Sequence, residues 1–289
     1  TSETKKRNIN TMTQQNSTTT SGATGFIETL KSNKSAKWLT TGIVAIALLV
    51  GGYFAYQKFY AEPKDEKNQT YLSQAFAMFN NAVEAQTQYN SMEALPDSTL
   101  AQYLVAQGAI KEGLSKDSTA IAVKDNRKKM QAQVSDLFNK VLKGDGKFPG
   151  LLKIAADGGK AGNIAEYLTG ATYFNMGQYK EAIKHLEEFS PKSDNSVSPL
   201  AVSVLANAYA CDNQVDKAVE TFKKAADLAD NEAMTPKFLL EAGKLLESQN
   251  KKAEANAIYV QIKKDFPQFG QAQQGMMSSE IDRYIERTK

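Results

Sequence analysis

The side chains that could carry chemistry in this sequence of 289 residues are few and scattered. One histidine, His185, and one cysteine, Cys211, leave too little for a zinc centre or a Cys/His nucleophile, so any metal chemistry would rest on carboxylates alone. A single thiol also closes no internal disulfide. His185 follows Lys184 with no acid or nucleophile placed beside it by sequence, and it reads as an exposed helical histidine. Cys211 falls at a helix end, where it reads as a small, half-buried apolar side chain. Glu187 and Glu188 are neighbours, so on a helix they point about 100° apart and make no acid/base dyad; they read as a solvated charge run. The Gly158-Gly159-Lys160 stretch invites a phosphate-loop reading. It lacks the longer Gly-x-x-x-x-Gly-Lys-Ser/Thr spacing and the preceding strand, so it reads as an interhelix loop. Lys143 to Gly150 holds one Asp without the alternating ligands or terminal Glu of a calcium loop, and reads as a turn. No cofactor, metal or enzymatic activity is expected.

What remains is an interaction surface, and its position depends on the elements that carry it. The formal net charge of +3 comes from 35 basic and 32 acidic residues spread along the chain, which disfavours a nucleic-acid partner. From Trp38 through Gln57 no residue is charged. At about 1.5 Å per residue that run spans roughly 30 Å, the hydrocarbon thickness of a bilayer. Trp38 on one side and Tyr53, Tyr56 and Tyr60 on the other are the interfacial aromatics of a membrane span. No small-x-small cleavage site follows, so the run reads as an uncleaved anchor that contacts lipid through Trp38 to Gln57. Lys5, Lys6, Arg7, Lys31, Lys34 and Lys37 precede it, which favours a cytoplasmic N-terminus. The expected order is a disordered tail over 1–25, a juxtamembrane segment over 26–37, the transmembrane helix over 38–60 and a charged linker over 61–69. Gly42, Gly51 and Gly52 would permit close packing of spans from two copies.

Beyond the linker, apolar spacings of three and four predict helices throughout. Residues 70–162 read as a helical region holding a degenerate hairpin split by an insertion around Asn90 to Gly108. Over 163–270 one pattern recurs. Ala182 is matched by Ala218, 36 residues on, and by Ala255, 37 residues beyond that. Around them fall Gly170, Tyr173, Gly177, Tyr179 and Leu186 in the first copy, Leu205, Ala206, Tyr209, Phe222 and Ala225 in the second, and Gly243, Leu246, Tyr259, Ile262 and Pro267 in the third. The small pairs Gly170/Ala182, Ala206/Ala218 and Gly243/Ala255 let two helices approach, while the aromatics fill the seam to the next pair. Gly177, Asp212-Asn213 and Asn250 supply the turns. Residues 271–289 read as a helix that closes the stack.

These residues resemble the tetratricopeptide repeat family, whose period they share. The resemblance implies an all-α fold, a transmembrane helix followed by a helical solenoid, with protein partners bound along the first helices of the pairs. Tyr167, Ala171, Phe174, Ser203, Asn207, Leu240, Lys244 and Glu247 are the residues it implies for that groove, a mixture of aromatic anchors, an amide and both signs of charge that suits peptide binding. The whole order resembles single-pass envelope tetratricopeptide proteins of Bacteroidetes-type bacteria and is similar in layout to the ancillary subunit of the SecYEG translocon. That likeness implies a bacterial inner-membrane protein with a periplasmic body, acting beside a translocon or a chaperone network on translocating envelope proteins. A self-associating structural scaffold is the alternative.

Overall fold

The computed structural model describes residues 66–270 and 280–289. The expected tail, juxtamembrane segment and span lie outside the described residues, and among the described residues no helix is long and apolar enough to cross a membrane. The regular structure of the described residues is helical. In chain order it comprises α1 (Glu66–Glu93), α2 (Asp97–Ala106), α3 (Lys116–Lys143), α4 (Leu151–Asp157), α5 (Gly159–Asn175), α6 (Tyr179–Glu188), α7 (Val197–Cys211), α8 (Val215–Ala229), α9 (Thr235–Ser248), α10 (Lys252–Asp265) and α11 (Glu280–Thr288). Helix α1 begins at Glu66, inside the stretch expected as linker.

The long helices α1 and α3 run antiparallel. Tyr71 meets Phe148 beyond the end of α3, and Phe79 meets Phe138 within it, each pair edge-on with ring centroids 6.4 Å apart. Phe79 and Phe138 are buried, worth about 1.5–3 kcal/mol apiece in removed apolar surface. The insertion expected between them is α2, which builds its own small core from Leu100, Ala101, Leu104, Ile110 and Val123. Arg127 ties it down by pairing with Asp97 and donating to the Leu95 carbonyl. The turn expected over Lys143 to Gly150 forms around Asp145, whose carboxylate accepts from the Lys147 and Phe148 amides. Those backbone bonds hold its pKa below the usual carboxylate range. The interhelix loop expected at Gly158-Gly159-Lys160 shrinks to Gly158 alone, since α5 already begins at Gly159.

Three helix pairs follow, α5/α6, α7/α8 and α9/α10. Each first helix ends the same way. Gln178, Gln214 and Lys251 donate backbone N–H to the carbonyls of Tyr173, Tyr209 and Leu246, at 2.9, 2.8 and 2.9 Å. The residues just before them, Gly177, Asn213 and Asn250, stand at φ 73°, 63° and 62°, which is the left-handed C-terminal closure expected from the sequence. Asparagine tolerates this region because its side chain is short and polar; alanine does not. Asn213→Ala should therefore cost about 1 kcal/mol and Asn213→Gly almost nothing, a contrast readable as the difference in urea midpoint.

The loops between pairs repeat as well, which sequence reasoning missed. Asp194 Oδ1 accepts from the Ser196, Val197 and Ser198 amides at the start of α7. Asn231 Oδ1 accepts from the Ala233 and Met234 amides before α9. Both are Asx turns; that of Asp194 also satisfies the first amides of α7, donors the helix leaves orphaned, while that of Asn231 closes the turn before α9. Small residues do sit where the helices meet: Ala182, Ala206, Ala218 and Ala255 are fully buried. Helix α7 is shared between two cores, with Ala201, Ala208 and Tyr209 turned to the upstream cluster and Leu200, Val202 and Ala206 to the downstream one. That sharing is how a solenoid stacks, each pair burying its face only against a neighbour.

Among the described residues four buried side-chain polar atoms have no hydrogen-bond partner, on Asn80, Arg127, Thr169 and Gln249. The Thr169 hydroxyl, in the middle of α5, lies fully buried without a hydrogen bond. Desolvating a hydroxyl without compensation is unfavourable, so Thr169→Val, which keeps the shape, should stabilise the chain by about 1 kcal/mol. Thermal denaturation should show a rise in midpoint, and a fall would mean that the hydroxyl is bonded in solution.

Candidate protein-binding surface

The first helices α5, α7 and α9 carry the eight residues expected to line a groove. Four of them are core. Tyr167, Ala171, Ser203 and Leu240 are all less than a tenth exposed. The Tyr167 ring lies 5.9 Å from that of Phe189, and burial pushes its phenol far above the ordinary range. Ser203 Oγ donates to the Leu200 carbonyl within its own helix. These four fill the seams because each first helix is packed on two sides, which leaves only a narrow stripe half-open.

The other four stay partly accessible and divide into two groups. Phe174 and Asn207 form the first. The Phe174 ring stands 5.7 Å from that of Tyr179, whose phenol is pushed above its usual range by burial and by the neighbouring Cys211 thiol. Burial pushes that thiol up to about 11, so at neutral pH it is a neutral packing group, in keeping with the sequence reading. Asn207 Nδ2 donates to the Ser203 carbonyl at 2.9 Å. Lys244 and Glu247 form the second group, and they face α11. Lys244 pairs with Glu241 at 2.7 Å and lies 5.9 Å from the Tyr284 ring centroid. Glu247 accepts from the Tyr259 hydroxyl and, through both oxygens, from Arg287. The structure thus brings Lys244 and Glu247 together beneath the closing helix, apart from Phe174 and Asn207.

Two polar side chains differ from their sequence reading. His185 is half-buried, with Nδ1 2.7 Å from Glu166 Oε2 and its ring stacked on Tyr173 at 5.4 Å. A face-on ring presents no O–H to the imidazole, so this is a strut between α5 and α6 and not a nucleophile–base pair. Glu166 and Tyr173 are seven residues apart on one face of α5, the only sign of the contact that the sequence carries. Glu187, read as solvated, accepts from the Tyr209 hydroxyl across the α6–α7 seam. Burial and then that bond push the Tyr209 phenol up to about 12, while Lys217 lies over its ring at 5.1 Å. Among the described residues no group of His, Cys, Asp and Glu could hold a metal ion.

The family model described as Tetratricopeptide repeat matches residues 165–193 and 238–268. These segments cover most of the first and third helix pairs, and the middle pair shares their turn geometry. Both segments match the tetratricopeptide repeat, a helical module that generally mediates binding to protein partners. No curated protein and no solved structure matches the chain.

Proposed function

We propose that this chain is a membrane-anchored protein-interaction module of the bacterial envelope, accessory to a protein translocon or a periplasmic chaperone network. The uncharged run Trp38 to Gln57 anchors it in the inner membrane, with the N-terminus cytoplasmic and the helical body periplasmic. The observation that carries the reading is the tandem of three stacked helix pairs, two of them matched by the repeat family. Such a stack offers a preformed surface, on which Phe174 of α5 is a partly accessible aromatic and Asn207 of α7 a partly accessible amide, side-chain types used to hold a peptide.

The test is photocrosslinking in cells from Phe174 and Asn207, with the buried Tyr167 as the negative control. Capture of translocon subunits or of envelope proteins in transit, from the two accessible positions only, is the expected result. Capture of this same chain alone would favour the self-associating scaffold, for which Gly42, Gly51 and Gly52 supply a close-packing face. Capture of nothing would reject the interaction reading at this surface.

A further inference from the structure

Helix α1 is almost free of charge along its length. Between Lys67 and Glu93 its one charged residue is Glu84, whereas α3, of equal length, carries ten. Two rows with seven-residue spacing run along α1 instead. Tyr71, Met78, Ala85 and Met92 make the first, all half-buried; Gln74, Asn81 and Gln88 make the second, half-buried to exposed. We propose that this face docks a second copy of the chain, α1 against α1, parallel and in register. The proposal rests on the reading of the chain as membrane-anchored and gives a partner to a face that reading leaves unused.

Rows at this spacing drift about 20° per heptad around a straight helix and stay in line where the helix winds about another. The adjoining row, Ala75, Ala82 and Tyr89, is already buried inside the chain, so the half-open rows are what remains for a partner. Between α1 and α3 the face holds a groove of about 350 Å³, lined in part by Ala85, Met92, Met130 and Leu137. Met130 and Leu137, again seven residues apart, are half-buried as well. The charged residue in the lining, Asp136, pairs with Lys140 at 2.7 Å, so that edge carries no net charge. A lining rich in methionine and poor in charge is that of an interface core more than of a solvated surface. Side by side, two 28-residue helices present a face of about 40 Å by 20 Å, roughly the 800 Å² that a stable interface buries on each partner.

The second row selects a copy of the chain itself. A carboxamide holds both a donor and an acceptor, so Gln74, Asn81 and Gln88 can each pair with their own counterpart across a two-fold axis, which a row of like charges could not. The tether sets the register. The uncharged run ends at Gln57 and α1 begins at Glu66, so eight residues, at most about 28 Å of chain, lie between the membrane and this helix. Two copies in one membrane therefore present α1 at the same height and in the same direction, and sharing the membrane raises their effective concentration. The α1 of each copy then lies in the groove between α1 and α3 of the other.

The test uses the full chain in lipid vesicles, with Cys211→Ser removing the native thiol and single cysteines placed on α1. Under mild oxidation Met78→Cys should give a covalent dimer. Glu84→Cys, exposed and about 100° round the helix from Ala85, should give none. Added to Met78→Cys, Ala85→Glu or Ala85→Lys should each lower the dimer yield at least tenfold, because each new charge would face its own copy. Mixing the two variants before reconstitution should restore the yield as a dimer of unlike chains, which also shows that both fold. The proposal is overturned if Met78→Cys gives no dimer, if Glu84→Cys gives as much, or if Ala85→Glu changes nothing or the mixture does not recover. Coupling of Met78→Cys in cells only to a different protein would equally overturn it and give the groove to a foreign helix. Flotation separates this face from the reading beneath it: a chain that floats with the vesicles but forms no dimer rejects the face alone, whereas one that does not float rejects the anchored reading and the parallel register with it.

Discussion

Gly243→Ala should lower the stability of the third helix pair by about 3 kcal/mol, near the upper end of what overpacking a filled core costs. A Cβ at this position would stand 2.4 Å from one edge carbon of the Tyr259 ring and 2.9 Å from the carbon bearing its hydroxyl. The ring has little freedom to yield. It is fully buried, its hydroxyl is bonded to Glu247, and Tyr284 of α11 lies against it with centroids 5.0 Å apart. The second pair carries Ala206 at the corresponding place, so the cost at Gly243 comes from where this ring lies and not from a general intolerance of alanine. A double-mutant cycle decides the point. Tyr259→Ala alone leaves a large cavity and should cost about 3–5 kcal/mol. If the ring is what the new methyl strikes, the double variant should be at least 1 kcal/mol more stable than the sum of the single effects. Additive losses in urea denaturation would place the clash elsewhere.

The helical architecture was legible because its determinants are local. Small residues three or four places from an aromatic, and turn residues able to enter the left-handed region, recur at a period that a linear reading detects, and Gly177, Asn213 and Asn250 adopt the geometry their types permit. The candidate surface was less legible. Whether a residue on a first helix faces a partner or a neighbouring pair depends on how the pairs are stacked, so Tyr167, Ala171, Ser203 and Leu240 were indistinguishable by spacing from Phe174 and Asn207. The polar struts were invisible for a related reason. His185 meets Glu166 at a separation of 19 residues, Tyr209 meets Glu187 at 22, and Arg287 meets Glu247 at 40, none of them a distance that helical periodicity connects. The Asx turns at Asp194 and Asn231 lie between these extremes. Their spacing of 37 residues was available in the sequence, but the pattern sought was apolar, and these are polar loop residues.

Glu247→Gln should release α11 from the end of the stack while leaving α5 to α8 protected. The closing helix has nine residues, too short to persist by itself, so its order comes from docking. Its apolar contribution is small, chiefly the buried Ile281 with Tyr284 and Ile285 at the margin. Polar contacts hold the rest: Asn256 donates to the Ile285 carbonyl and to Thr288, Lys263 pairs with Asp282 at 2.6 Å, and Arg287 grips both oxygens of Glu247. Exchanging that carboxylate for an amide removes a charge-assisted pair and should cost about 1.5–3 kcal/mol, seen as faster hydrogen exchange across 280–288. The same pair sets a pH dependence. Burial by itself would raise the Glu247 pKa, but the bonds from Arg287 and Tyr259 outweigh it and hold the carboxyl below its usual value. A lowered folded-state pKa means that the stabilisation is complete above the unfolded value of about 4.3 and is lost as pH falls through the folded one. Protection of α11, corrected for intrinsic exchange, should therefore decline below about pH 4.3 in the parent chain and stay flat in the Gln variant. Matching declines in the two chains would assign the acid sensitivity to other carboxylates, with Asp282 the first to replace.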